Sequence, residues 1–235
     1  MRAAIKRLLT YTPMPETAEV RRMLERGRVD GRPYCAPWQG DFIFRVITTR
    51  GYTRCVETGF GTGSTALHML EAVGPRGGSV VSIDWSDANF NEIGRRNVAQ
   101  SRFADRHTLI EEPSWRAMPR VAAEAGAVDF VFIDGWKTFD YLAYELFLLN
   151  RALSDGGCIM FDDAHLPSVR RAIAMLKRHY GYDEVDYANF GETAAQRAYH
   201  VLTTRGVARS CRAVLKAVPL ERQPPTHEWT FYRPF

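Results

Sequence analysis

The sequence predicts an α/β domain, in which a seven-stranded, mainly parallel sheet carries helices on both faces and follows an N-terminal helical cap. From Arg54 onward, apolar runs of strand length alternate with segments of helical periodicity. The first fifty residues carry only helical patterns, and glycine-rich turns at 74–78 and 154–157 lead into predicted strands. Alternating strands and helices are typical of a parallel sheet covered by helices.

Seven segments have the length and apolar content of strands: Arg54–Glu57, Ser79–Asp84, His107–Ile110, Val128–Asp134, Cys158–Asp162, Glu184–Tyr187 and Ala198–Thr203. Five segments between them are predicted as helices: Ser64–Val73, Ser86–Ala99, Trp115–Ala125, Phe139–Leu153 and Pro167–Tyr180. The last two strands are separated only by residues 188–197, a connection too short for a crossover helix. We therefore expect these two strands to be antiparallel neighbours.

The length of 235 residues fits one α/β domain with short extensions. We assign residues 1–38 to a helical extension, 39–204 to the main domain and 205–235 to a C-terminal extension. With 46% hydrophobic and 25% charged residues, the composition is that of a globular protein with a sizeable core. The aromatic residues that close the chain are expected to pack on the domain or to contact another copy in a homo-oligomer.

Charge and cysteine usage argue against several classes of protein. The 31 basic and 27 acidic residues give a net charge of +4, too small to predict a nucleic-acid partner. The four cysteines are far apart and form no C-x-x-C pair, which indicates reduced thiols and a cytoplasmic location. The basic N-terminus lacks the apolar stretch of a signal peptide, and no apolar run is long enough to span a membrane.

A glycine-rich turn follows the first predicted strand. The segment VETGFGTGST, residues 56–65, delivers Glu57 and three alternating glycines directly into a helix. Glycines let the backbone approach a ligand closely, and a helix N-terminus offers N–H groups to an anionic group. The spacing E-x-G-x-G-x-G differs from the dinucleotide pattern G-x-G-x-x-G, which would require glycine in place of Ser64.

An acidic residue, Asp84, ends the second predicted strand. At the carboxyl edge of a parallel sheet, such a residue can accept hydrogen bonds from the two hydroxyls of a ribose. The structural alternative is a simple glycine-rich turn together with an aspartate that caps the helix beginning at Ser86. The combination of the glycine motif and the acid at the next strand end favours a ligand that contains a nucleoside.

These motifs resemble the class I S-adenosylmethionine-dependent methyltransferases, with VETGFGTG as the first motif and VSIDWS as the second, over residues 39–204. The resemblance implies a Rossmann-like sheet of seven strands, the last antiparallel, and S-adenosylmethionine as cofactor. It also implies the following cofactor-binding residues: Glu57 below the cofactor, Gly59 and Gly61 beneath its methionine part, Thr65 at its carboxylate, Asp84 at its ribose, and Ser114 and Trp115 at its adenine.

Three further acids follow the ends of two adjacent predicted strands. Asp134 ends the fourth strand and is followed by Trp136 and Lys137, while Asp162 and Asp163 end the fifth. Because neighbouring parallel strands end at the same edge of a sheet, these carboxylates are expected to converge there. Such a cluster is repulsive unless a cation is bound, and oxygen ligands suit Mg²⁺. The alternative is that each aspartate caps the next helix.

The D-x-W-K tetrad and the acid pair resemble the catechol O-methyltransferase-like branch of this family. The resemblance implies Asp134, Asp162 and Asp163 as metal ligands and Lys137 as the general base. The chain has Gly135 where catechol enzymes have a histidine. It also carries His165 after the acid pair, and His165 is the second candidate base because histidine often has that role in bacterial small-molecule and sugar O-methyltransferases. The structural alternatives are that Lys137 is a solvated loop residue and that His165 is a polar residue at the start of a helix.

The sequence therefore predicts an enzyme that transfers a methyl group from S-adenosylmethionine to a hydroxyl of a small molecule. A divalent cation would chelate a vicinal diol or a catechol. One alternative is a metal-independent methyltransferase that acts on a macromolecule, but the fourth strand ends in DGWK rather than in an Asn/Asp-Pro-Pro-aromatic motif. Another is a non-catalytic, cofactor-binding interaction protein, and the intact set of three aspartates argues against it.

Overall fold

The computed structural model describes residues 14–15, 17–30, 32, 34–85, 88–123, 126–185 and 211–223. Its helices and strands are, in chain order, α1 (Ala18–Asp30), α2 (Pro37–Arg50), β1 (Arg54–Thr58), α3 (Ser64–Val73), β2 (Ser79–Ile83), α4 (Ala88–Val98), β3 (His107–Ile110), α5 (Ser114–Val121), β4 (Val128–Ile133), α6 (Phe139–Ala152), β5 (Leu153–Phe161), α7 (Pro167–His179), β6 (Tyr182–Val185) and β7 (Arg212–Lys216). None of these helices is both long and apolar enough to cross a bilayer.

The strands form one seven-stranded sheet in the order β3-β2-β1-β4-β5-β7-β6. Strands β1 to β5 run parallel to one another, and β7 is antiparallel to both of its neighbours, β5 and β6. This topology confirms the predicted α/β fold with an antiparallel last strand. Helix α3 and strand β3 also have the predicted bounds.

The last strand does not come from the predicted segment. The predicted strand Ala198–Thr203 lies outside the described residues, as does the segment 224–235 with most of the aromatic tail. The strand that pairs with β5 is β7, which belongs to the segment 205–235 that we assign to an extension. That segment therefore contributes a strand to the sheet.

Strand β5 begins five residues before the predicted start, Cys158, and so includes the glycine-rich segment at 154–157. The register between β4 and β5 shifts between Val128 and Phe130, and Gly156 has a φ of +73°. An irregular strand with a left-handed glycine resembles a turn in sequence. The pairing with β4 extends it into the sheet.

Successive side chains of a strand point to opposite faces of the sheet. Apolar residues therefore lie on both faces, and helices cover each of them. On one face, Phe130 and Phe132 of β4 belong to a buried cluster with α2 and α3. On the other face, Val131 and Ile133 pack with α5, α6 and α7. Helix α1 adds a smaller cluster, in which Val20 and Met23 pack with Leu67 of α3. Every residue of β4 is buried, so this strand lies at the centre of the core.

The central strands end in one row. The register pairs Thr58 with Ile83 on one side and with Ile133 on the other. Ile133 is in turn paired with Phe161 of β5. The residues that follow these strand ends therefore leave the sheet at the same edge.

Backbone hydrogen bonds fix the acids that follow the strand ends. The N–H of Asp134 donates to Thr58 O at 2.8 Å, and the N–H of Asp162 donates to Ile133 O at 3.0 Å. The N–H of Asp84, which follows β2, donates in the same way to the carbonyl oxygen of Ile110, the last residue of β3, at 3.1 Å. Each acid thus occupies a defined position one residue beyond the sheet, because its own backbone continues the strand pairing.

Candidate active site

A cavity of about 760 Å³ lies at this edge of the sheet. It is lined by the turn after β1, by residues at the ends of β2, β4 and β5, and by Tyr34, Cys35 and Gln39 from the start of α2 and the segment before it. Its size is within the range of small-molecule and cofactor pockets. The N-terminal extension therefore contributes one wall of the cavity.

The glycine-rich turn lines the cavity in a conformation that requires glycine. Gly59 has a φ of +89°, and a Cβ on it would lie 2.5 Å from the carbonyl oxygen of Asp134. Gly63 has a φ of +68°, and a Cβ there would lie 2.8 Å from Gly94 O. Helix α3 begins immediately afterwards at Ser64, so the N–H groups of its first turn have no partner within the helix and can bind an anionic group.

Asp84 both lines the cavity and holds this turn. Its Oδ2 atom accepts hydrogen bonds from the backbone N–H groups of Phe60, at 2.7 Å, and Gly61, at 2.8 Å. The acid expected to bind a ribose is therefore held next to the glycine turn. Sequence patterns did not reveal this second role in stabilising the turn.

Glu57 lies beneath the cavity and is fully buried. Its carboxylate accepts hydrogen bonds from Thr65 Oγ1 at 2.5 Å and from Ser82 Oγ at 2.6 Å. Ser82 Oγ also lies 2.8 Å from Nε2 of His107. Burial raises the pKa of Glu57 to about 8. Because Thr65 uses its hydroxyl proton for Glu57, the N–H groups at the start of α3 are the available donors to a ligand carboxylate.

The structure brings together the three aspartates expected to bind metal. One carboxylate oxygen from each of Asp134, Asp162 and Asp163 lies within 4.8 Å of the other two. Burial raises the pKa of Asp134 to about 7, although the charge of Lys137 opposes the shift. Asp163 has a φ of +51°, a backbone conformation uncommon for residues other than glycine and often found at functional sites. Carboxylate oxygens are the type of ligand that Mg²⁺ prefers.

Lys137 lies against the same cluster. Its Nζ donates to Asp134 Oδ1 at 2.8 Å and to the carbonyl oxygen of Gly135 at 3.2 Å, and it lies 3.6 Å from Asp163 Oδ2. The lysine side chain is only 13% exposed. The ammonium group thus compensates part of the negative charge of the acids.

Five candidate site residues are not part of the cavity lining: Glu57, Trp115, Lys137, Asp163 and His165. His165 has an exposed side chain and does not line the cavity, although it follows Asp162 by three residues. The Trp115 side chain is 50% exposed and also lies outside the lining, whereas its neighbour Ser114 contributes to it. Of the two residues expected near adenine, Ser114 is therefore the one that reaches the cavity.

Aromatic residues line the cavity next to the acids. Trp85 directly follows Asp84 and is 73% exposed, and Trp136 is 65% exposed. The ring centroids of Trp136 and Tyr141 are 6.4 Å apart. The position of Trp85 and Trp136 just after strand-end acids was a usable signal. No comparable pattern marked Tyr141, which lies inside an ordinary amphipathic helix.

Comparisons with known proteins identify a domain and relatives to which this chain is similar. Residues 56–164, which contain the glycine turn and the acid cluster, match the family model described as a methyltransferase domain. The O-methyltransferase ankF of Aspergillus thermomutatus is 27% identical over 163 residues. That match covers 66% of this chain and 63% of the relative, so the chain spans less than two thirds of the relative's length.

Solved structures share the fold across nearly the whole chain. Cofactor-bound Rv0187 from MTB superimposes with a TM-score of 0.67 at 20% identity, covering 92% of this chain and 97% of that one. The O-methyltransferase TomG from Streptomyces achromogenes, solved in complex with SAM, gives a TM-score of 0.64 at 17% identity, covering 92% and 95%.

The chain thus has a Rossmann-like α/β fold, which it shares with solved O-methyltransferase structures. Within that fold, residues 56–164 are similar to a methyltransferase domain. The resemblance to methyltransferases predicted from the glycine and acid motifs is confirmed.

Proposed function

We propose that this protein transfers a methyl group from S-adenosylmethionine to a hydroxyl of a small molecule, with a divalent cation bound by Asp134, Asp162 and Asp163. The observation that carries the proposal is the convergence of these three carboxylates beside the cavity that contains the glycine turn. The glycine turn would bind the nucleoside-containing cofactor, and the acid cluster beside it would bind the cation. The names of ankF and TomG support transfer to oxygen.

The cofactor would bind along the turn after β1. Gly59 and Gly61 let the backbone approach its methionine part, and the first turn of α3 directs N–H groups at its carboxylate. Asp84 would accept from the ribose hydroxyls, and Ser114 would lie near the adenine. The acceptor would bind beside the acid cluster, at the same cavity as the glycine turn.

Asp134, Asp162 and Asp163 would hold the cation and leave some of its coordination positions for other oxygens. When present there, Mg²⁺ supplies positive charge that makes a neighbouring hydroxyl easier to deprotonate. Two adjacent oxygens of one acceptor suit such a site better than a single oxygen does. We therefore propose a vicinal diol or a catechol as the acceptor, held so that one oxygen is in line with the methyl group.

Lys137 is the better placed of the two candidate bases. Its Nζ donates to Asp134 Oδ1 at 2.8 Å and lies 3.6 Å from Asp163 Oδ2, whereas the His165 side chain is exposed. In its neutral form, Lys137 would take the proton of the acceptor hydroxyl. The oxygen would then attack the methyl carbon, the bond from carbon to sulfur would break, and S-adenosylhomocysteine would leave as a neutral thioether.

A metal-independent methyltransferase is the second candidate. It is favoured by one observation, the position of the Lys137 ammonium between Asp134, at 2.8 Å, and Asp163, at 3.6 Å. A protein cation in that position can stabilise the carboxylates without a bound metal. The two candidates differ in their response to a chelator.

A methyl-transfer assay that measures S-adenosylhomocysteine formation tests both candidates. The acceptors are catechols, glycosides with vicinal hydroxyls and matched monohydroxyl analogues, each with Mg²⁺ or with excess chelator. We expect the vicinal compounds to be methylated in the presence of Mg²⁺ and excess chelator to abolish this turnover. Asp134→Asn should reduce the turnover, whereas Asp105→Asn, at an exposed position, should have no effect. Full turnover in chelator supports the metal-independent candidate, and equal rates for monohydroxyl analogues exclude chelation of the acceptor.

Cofactor binding is tested separately by calorimetry with S-adenosylhomocysteine and with NAD. Heat with NAD alone would reject the cofactor assignment. We further propose a cytoplasmic location, which the four buried, free cysteines support because thiols remain reduced there. A homo-oligomer remains part of the proposal, and light scattering of the purified chain measures it.

A further inference from the structure

A buried thiol links the acid cluster to helix α2. Cys211 lies directly before β7 and is 7% exposed. Its Sγ donates to Asp162 Oδ1 at 3.5 Å and accepts a hydrogen bond from Gln39 Nε2 at 3.2 Å. Gln39 is also buried, and both Gln39 and Asp162 line the cavity. Three segments distant in sequence thus meet through one sulfur atom beside the candidate cation site.

The chemistry of the three groups determines which group donates in each of these two hydrogen bonds. An amide NH₂ can only donate, so Gln39 occupies a lone pair of the sulfur. The single thiol proton is then available to Asp162, which accepts it as a carboxylate. A hydrogen bond from a buried, fixed thiol limits the rotation of the carboxylate to which it is made. Asp162 is therefore held in one orientation toward the cluster.

We propose that Cys211, held by Gln39, is a positioning residue that orients the Asp162 carboxylate for binding a divalent cation. The inference rests on the proposed function and deepens its cation-binding part. Carboxylate ligands are commonly hydrogen-bonded by groups that do not touch the metal, and loss of such a group typically weakens metal binding. Cys211 has this relation to Asp162, since it contacts the candidate ligand and is not itself a member of the acid cluster.

The test is calorimetric titration of the full chain with Mg²⁺ and with Mn²⁺, in the absence of acceptor. We expect Cys211→Ala to weaken cation binding by about 10-fold, at the low end of the usual effect because a thiol is a weak donor. Cys211→Ser should weaken it less, because serine keeps a donor on a shorter side chain. Gln39→Leu should also weaken it, since the thiol is then free to rotate away from Asp162.

The matched control is Cys158→Ala, which removes an equally buried thiol from the interior of β5, three residues before the end of that strand. It should leave the Kd for the cation within about twofold of wild type, the range typical of substitutions that touch no ligand. Thermal unfolding without cation reports the folded state of each variant. Affinity for S-adenosylhomocysteine should be the same in Cys211→Ala and wild type, because the thiol does not contact the glycine turn.

The outcomes separate this inference from the proposed function. Wild-type cation affinity in Cys211→Ala overturns the positioning role and leaves the proposed function intact. An equal loss in Cys211→Ala and Cys158→Ala also overturns it, because the effect is then a general loosening of the core. If the wild-type chain binds S-adenosylhomocysteine but neither cation, the cation part of the proposed function fails and the positioning role fails with it.

Discussion

Lys137 Nζ lies 2.8 Å from Asp134 Oδ1, within the cluster of acids that would bind a cation. The two residues are three positions apart on the loop after β4, and Asp134 is held by its own backbone bond to Thr58. The lysine is therefore fixed relative to the sheet through its partner. This contact makes Lys137 both a counter-charge for the acids and a group within reach of a hydroxyl bound beside them.

Lys137→Met is expected to reduce kcat for methyl transfer by about 100-fold, the lower bound of the usual contribution of a general base. Methionine keeps the length of the side chain and removes the amine. Affinity for S-adenosylhomocysteine, measured by calorimetry, should change little because the Lys137 amine contacts the acid cluster and not the glycine turn. His165→Ala is the control, and its kcat should remain within about twofold of wild type. The opposite pattern, with full activity in Lys137→Met and none in His165→Ala, would make His165 the base.

Glu57→Gln is expected to flatten the dependence of stability on pH. Burial raises the pKa of Glu57 in the folded protein to about 8, above its ordinary value of 4.5. Between these two values the folded protein keeps a proton that the unfolded chain has released. The free energy of unfolding therefore falls as pH rises through this window, by up to about 1.4 kcal/mol per pH unit for one proton.

Glutamine has no such proton, so the variant loses this contribution. Urea unfolding of wild type and Glu57→Gln across the window measures the difference in slope. Asp134 also has a raised pKa and contributes a slope in the same direction in both proteins. Glu25→Gln, on the exposed surface of α1, is the control and should keep the wild-type slope. Parallel curves for wild type and Glu57→Gln would mean that Glu57 is already ionised throughout the window.

Asn97→Ala is expected to destabilise the protein by about 1–3 kcal/mol. Asn97 is buried on α4, where its Nδ2 donates to Thr62 O at 2.8 Å and its Oδ1 accepts from Arg26 Nη1 at 3.1 Å. The substitution removes both bonds and leaves the carbonyl of the glycine turn without this donor. Arg26→Ala removes only the exposed partner and should cost less than about 0.5 kcal/mol. If urea unfolding gives the same loss of stability for Asn97→Ala and Arg26→Ala, the hydrogen bond to Thr62 contributes nothing.

Gly59→Ala is expected to destabilise more than a glycine substitution at a comparable φ elsewhere. Gly51 follows α2 with a φ of +71°, and a Cβ on it would have no atom within 4 Å. A Cβ on Gly59 would lie 2.5 Å from Asp134 O. Gly51→Ala should cost about 1–2 kcal/mol for the left-handed backbone alone. Gly59→Ala adds a clash with rigid backbone at the site, so it should also weaken S-adenosylhomocysteine binding. Similar melting temperatures for the two variants would contradict the clash.

Local patterns were sufficient for most of the elements. The bounds of α3 follow from a glycine turn and an apolar helix, and those of β3 follow from a short apolar run. The antiparallel strand was harder to place, because Arg212–Lys216 has only five residues and pairs with a strand more than fifty residues earlier in the chain. A short segment with that pairing has no local signal that distinguishes it from an extension.

The sequence by itself determined the strand-end positions of Asp84, Asp134 and Asp162, because parallel strands that end on acids place those acids at one edge of the sheet. Tertiary structure decided what each acid contacts. Asp84 holds the glycine turn, Asp134 pairs with Lys137, and Asp162 accepts from Cys211, a residue forty-nine positions away. Periodicity encodes which face and edge a residue occupies, whereas these contacts depend on the registers of several strands and on side-chain packing between them, which no single segment of the chain specifies.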